Sequence, residues 1–230
     1  METPHQSPSV TASPQGEAFG RGDPAPTRIM EKIMQIENHK EEVPFAHYQA
    51  LFASADAQEM AARTGIKFDG EKFYVNLLGV VYEISYPDYA IAPACALPVQ
   101  TFLLRMLLEG KCVAWGGQWK TFREMSWGEL YIKPYTGRVL TRAAFTFGTR
   151  VDAFAAACEK MGAVKLSHGD AGYQFDFVDG FQMQILVWEG DEEFAPNAQV
   201  LYSDNFEGGF APEDRVVAGD ILITAIKSNM

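Results

Sequence analysis

The stretch YQFDFVDGFQMQILVWEGDEEFAPNAQVLYSDN, Tyr173 to Asn205, sets the architecture of this chain. Tyr173, Phe175 and Phe177 alternate with Gln174 and Asp176, and Phe181, Met183, Ile185 and Val187 alternate with Gln182 and Gln184. Period-two alternation with one apolar face is the signature of paired, half-buried strands. Between them Asp179-Gly180 marks a turn. A two-residue loop, Asp179-Gly180, would set Phe177 against Gln182 and each aromatic against an amide. A three-residue loop, Val178-Asp179-Gly180, pairs Phe177 with Phe181 and Phe175 with Met183, so that apolar residues meet apolar residues and amides meet amides. The second strand carries Leu186 and Trp188 on its otherwise polar face, then breaks into the acidic run Glu189, Asp191, Glu192 and Glu193.

Around this hairpin, 230 residues with 47% hydrophobic content supply ample material for one core. The formal net charge of -11 argues against nucleic acid and against anionic membranes, because a phosphate surface would repel such a chain. No run is long and apolar enough to span a bilayer. Three scattered cysteines, Cys95, Cys112 and Cys158, form no CxxC pair, which suits reduced thiols in the cytoplasm better than a disulfide scaffold.

Residues 1–27 are rich in Ser, Pro, Gly and Thr, and their composition predicts a disordered tail ahead of a single domain over 28–230. Helical spacing of Ile29, Ile33 and Ile36 predicts a helix from Arg28 to about His39. A second helix follows Pro44, and a third is capped by Ser54 or Asp56 and ended by Gly65. The period then changes: Phe73, Val75 and Leu77 alternate, and after Gly79 so do Val80, Tyr82, Ile84 and Tyr86, a two-strand meander. Ala96 to Leu108 reads as a buried helix. Lys111 to Pro134 reads as irregular; Thr136–Phe147 and Arg150–Met161 read as helices. Pro212 to Lys227 closes the chain as a helix with the stripe Val217, Ile221, Leu222 and Ala225. The expected class is α+β: a mostly antiparallel sheet, central meander plus C-terminal hairpin, packed by several helices.

Two segments carry candidate chemistry. Trp115, Trp119 and Trp127 with Phe122, Tyr131 and Tyr135 can wall an apolar pocket for a planar ligand, with Arg123 and Glu124 as polar contacts. Trp188, Glu189, Asp191 and Glu192 can meet a hard cation or a basic partner, or simply form a solvated acidic turn that caps the next segment of chain. His47 and His168 stand in no ligand spacing. GxGxxG, the Walker lysine loop, GxSxG and CxxC are all missing from the sequence, so no catalytic residue and no cofactor are assigned.

Arg63-Thr64-Gly65, FYVNLLGVVYEISYP from Phe73 to Pro87, QWKTFRE from Gln118 to Glu124, FQMQILVWEGDEEFAP from Phe181 to Pro196 and Pro212-Glu213-Asp214 together resemble the DUF3786 family of bacterial and archaeal proteins. The resemblance runs from about Phe45 to Ile226. It implies an anaerobic setting, and some family members carry a cysteine-rich module like that of corrinoid iron–sulfur proteins. This chain departs from them there, so any cluster or corrinoid would belong to a partner. The first expectation is a cytoplasmic accessory domain that binds an apolar or planar ligand, or a protein partner, at the Trp-rich segment and acidic loop. The alternatives are a carboxylate-based enzyme, with or without a metal, acting on a small molecule, and a structural subunit of a complex.

Overall fold

The computed structural model describes residues 42–230, with side chains from Pro44 onward. The expected tail and the helix from Arg28 to His39 lie outside the described residues. No helix among the described residues is long and apolar enough to cross a membrane.

The chain folds as α+β around a nine-stranded sheet in which every pairing is antiparallel. Two helices come first, α1 (Glu42–Ser54) and α2 (Ala57–Thr64). Asp56 caps α2 by accepting from the Gln58 and Glu59 amides at 2.8 and 3.0 Å. Gly65, at φ +72°, ends it in the left-handed conformation. Next come β1 (Lys67–Phe68), β2 (Lys72–Leu77), β3 (Val80–Ser85) and β4 (Ile91–Ala92), then α3 (Leu97–Glu109) and β5 (Trp119–Thr121). A long helical run comes after β5: α4 (Gly128–Tyr135), a π-helical segment (Thr136–Thr141) and α5 (Arg142–Phe147). Helix α6 (Val151–Lys160) leads to β6 (Val164–Leu166), β7 (Ala171–Val178), β8 (Phe181–Trp188) and β9 (Asn197–Ser203). The short α7 (Phe206–Gly209) and the long α8 (Pro212–Asn229) complete the fold.

The hairpin β7–β8 pairs Phe175 with Met183 and Tyr173 with Ile185, the expected register over most of its length. Its tip differs. Val178 pairs with Phe181 around a two-residue loop, Asp179 (φ +28°) and Gly180 (φ +87°), and the ladder shifts between Asp176 and Val178. Phe177 is therefore the extra residue of a β-bulge, which lets Phe177 and Val178 both be buried. The bulge also joins the two halves of the sheet. Leu77 pairs with Val178, the Leu78 amide donates to the Phe177 carbonyl at 2.8 Å, and the Asn76 amide donates to the Asp179 carboxylate at 2.9 Å. On the polar face Gln174 donates to Gln182, and Gln184 to Gln174, at 2.9 and 3.0 Å.

The opposite face is the core. Tyr173, Phe175, Met183, Ile185, Val200 and Tyr202 are buried there, and aromatic contacts carry the packing on to the helices: Phe177 to Phe102 of α3, Tyr173 to Phe154 of α6, Tyr202 to Tyr135 of α4. Gly219 lets α8 come close. A Cβ there would stand 2.8 Å from the Tyr202 hydroxyl and 3.0 Å from both Val139 methyls. That approach sets the position of α8 against the π-helical segment.

Candidate functional site

The two segments singled out from sequence stand at opposite ends of β9. Trp119 pairs with Ser203, and Trp188 pairs with Asn197. Six residues of extended chain separate them, roughly 20 Å at strand rise. Leu186 and Trp188 therefore have no cover from Trp119: Leu186 packs where a Cβ on Gly172 would be, and Trp188 is exposed.

Within the first segment the aromatics part company. The Trp115 indole donates to the Gln118 carbonyl at 3.1 Å and meets Trp119 edge-on at 5.4 Å. Phe122 is buried and stacks on Tyr135 with ring centroids 4.1 Å apart. Arg123 pairs in solvent with Glu129 and lines a cleft of about 390 Å³ that Phe122 and Tyr135 also touch. Trp127 is exposed, with a left-handed backbone at φ +66°. Glu124 accepts from the amide and hydroxyl of Thr121, closing its own 3-10 turn (Phe122–Glu124), and the Thr121 amide holds its carboxyl below the usual range.

In the acidic loop Asp191 accepts from the Glu193 and Phe194 amides at 2.8 and 2.7 Å, and those amides lower its pKa, the Phe194 amide most. Asp191 thus shapes a solvated turn, with Glu192 and Glu193 exposed beside it. The Glu189 amide donates to Asp170 at 2.7 Å. Among the described residues no group of three or more His, Cys, Asp or Glu side chains is placed to hold a metal ion.

Carboxylates further along the chain tie down the irregular middle. Asp204 accepts from the Gly116 and Gln118 amides at 2.8 and 3.1 Å. Glu207 accepts from Lys120 at 2.6 Å, from the Ser126 amide at 2.8 Å and from the Ser126 hydroxyl. Lys120 first, with Ser126, pulls the Glu207 carboxyl down to about 2. The buried Arg215 donates to three carbonyls, those of Phe210, Ser126 and Glu207, at 3.0, 2.9 and 2.9 Å. These bonds brace the loop.

A concave feature with a largely apolar lining lies along α8. Its larger chamber has a volume of about 530 Å³, within the range of small-molecule pockets. The β2–β3 turn forms one wall, the start of α3 a second, and Ile221 and Ala225 of α8 the floor. Lys160 and Met161, at the end of α6, close one side. A smaller chamber of about 340 Å³ adjoins it, sharing Pro98 and Asp220, and continues past Val217 and Asp214 towards Arg105 and Arg138. The turn supplies an unusual wall. Leu78 has φ +50° beside Gly79 at φ +81°, in a two-residue hairpin loop where Asn or Gly is the usual occupant. A half-buried leucine held in a left-handed backbone at the edge of a cavity is local strain of the kind that collects at functional sites.

Charge is arranged along one side of this groove. Arg105 grips the buried Asp214 through two bonds, 2.5 and 3.1 Å, and also reaches Glu109 at 3.2 Å. Burial works against the Arg105 charge, but Asp214 and Glu109 hold the guanidinium charged. Arg142 and Arg138, four residues apart, both face Asp220. The π-helical segment between α4 and α5 widens one turn, and π-bulges of this kind recur at functional sites.

The family model for a domain of unknown function, DUF3786, matches residues 56–225. The chain belongs to the DUF3786 family. The match starts at the cap of α2 and ends in α8, leaving out α1, which the resemblance read from sequence had included. It takes in every residue of the two chambers except Pro44 and Asn229, so the groove lies almost wholly within the matched region. No curated protein matches the chain, and no solved structure matches it.

Sequence reasoning missed the groove. Its one legible trace is the stripe Val217, Ile221, Leu222 and Ala225 on α8. Leu222 is fully buried, but Val217 and Ala225 remain half-buried and face the chambers.

Proposed function

We propose that this DUF3786 chain is an accessory ligand-binding domain that holds a small, largely apolar molecule in the groove along α8. The observation that carries the reading is the larger chamber, lined mostly by apolar residues and walled by the strained Leu78, with Lys160, Asp220, Thr224 and Asn229 as its polar lining. A pocket of this kind favours transfer of apolar surface out of water, by about 25 cal/mol per Å² buried. The ligand is held for a protein partner. In an anaerobe, the setting the family resemblance implies, that partner would carry any corrinoid or iron–sulfur group. The chain's own cysteines do not gather: Cys158 is buried, Cys112 exposed and Cys95 intermediate.

The test is titration with 8-anilinonaphthalene-1-sulfonate, an apolar probe whose fluorescence rises on leaving water. The wild-type protein is expected to show saturable enhancement at one probe per chain. Ala225→Trp, which fills the chamber floor, should abolish it with little change in melting temperature. Absence of saturable binding by the folded wild type, or equal binding by Ala225→Trp, contradicts the proposal.

A further inference from the structure

We infer that the ligand of the groove is a monocarboxylic acid, its apolar body in the larger chamber and its carboxylate on Arg138 at the junction with the smaller one. The inference rests on the groove being the binding site and goes on to name the chemistry of its occupant.

Unused donors and a shared counter-ion point to the carboxylate. Of the guanidiniums along the groove, Arg105 is fully engaged by Asp214 and Glu109. Arg142 bonds Asp220 and donates to the Thr224 hydroxyl at 2.9 Å. Arg138 alone is underused. It lines the smaller chamber, and its single bond among the described residues is a long one, 3.3 Å to the second oxygen of Asp220. A guanidinium carries five donors in a planar fork that matches a carboxylate through two parallel bonds. Arg142 holds the same Asp220 carboxylate through the closer bond, so Asp220 answers the Arg138 charge only in part. Asp220 beside the same guanidinium repels a dianion more strongly than a monoanion. Asp220 lines both chambers, so a carboxylate at Arg138 leaves the adjoining larger chamber for the body of the molecule.

Calorimetric titration with octanoate, 1-octanol and octyl phosphate separates the possibilities. Octanoate should bind at least tenfold more tightly than octanol and more tightly than octyl phosphate. Arg138→Gln should weaken octanoate about tenfold and leave octanol unchanged, since Arg138 is a surface side chain whose loss leaves the fold intact. Equal binding of octanoate and octanol, or an Arg138→Gln variant with octanoate affinity unchanged, overturns the carboxylate assignment while the groove stands. Tighter binding of octyl phosphate overturns the preference for a monoanion. If neither octanoate nor octanol binds, the groove reading fails and takes the carboxylate with it.

Discussion

Among single residues, Leu78 couples backbone strain to the groove most directly. A left-handed backbone costs a non-glycine residue on the order of 1 kcal/mol, and asparagine tolerates it better than leucine. Leu78→Asn would give the preferred Asn-Gly turn and remove an apolar wall of the groove. The expected outcome is stability within about 1 kcal/mol of wild type in urea denaturation, with affinity for 8-anilinonaphthalene-1-sulfonate reduced about tenfold. A loss of several kcal/mol with unchanged affinity would make Leu78 an ordinary packing residue. The sequence shows that a turn falls here, because FYVNL and VVYEIS alternate on either side of it. It cannot show that the leucine side chain faces a cavity, since both walls opposite it come from elsewhere in the chain. Glu124 and Asp191 illustrate the converse. Each stood out as a carboxylate in a suggestive segment, and each spends its oxygens on its own turn. Such local bonds are the usual work of acidic residues in loops.

Among the elements, the hairpin β7–β8 was legible because alternation is a local property, and the amide ladder came with it. The bulge at Phe177 was not legible: it depends on β2 arriving at the same edge. Helix α4 was missed because Gly128 and Pro134 are normally helix breakers. Gly128 is tolerated at the first turn, where any Cβ would strike the Phe122 carbonyl, and Pro134 is followed at once by the π-helical segment. The junction of β5, α4 and α7 yields a pH prediction. Glu207 has its carboxyl pulled from an ordinary 4.5 to about 2, chiefly by Lys120. A depressed carboxyl contributes stability that is complete above about 4.5 and is lost as pH falls towards about 2. Allowing for partial solvent screening, this contribution is about 1–2 kcal/mol. Glu207→Gln should lower stability by that amount at pH 7, and the difference from wild type should shrink between pH 4.5 and pH 2. Urea denaturation across that range measures it, and a difference independent of pH would assign the effect to packing.

For the molecule as a whole, the fold class could be read in advance and the groove could not. Sheet and helices announce themselves through periodicity within single segments. The groove is made where the β2–β3 turn, the start of α3, the end of α6 and one face of α8 meet, and these stretches are up to about 150 residues apart in the chain. Its residues carry no motif, because an apolar floor with a few charges at the rim is, segment by segment, indistinguishable from ordinary core and surface. The tryptophans and acidic loop drew attention because they are conspicuous in composition, yet β9 holds them apart. That this groove is the binding site is tested most directly by mapping octanoate onto the amide resonances of the isotopically labelled protein. Saturable shifts are predicted for Leu77–Val80, the first turn of α3 and residues 220–225 of α8. Shifts gathered at Trp115–Glu124 or Trp188–Glu192, or none that saturate, would contradict it.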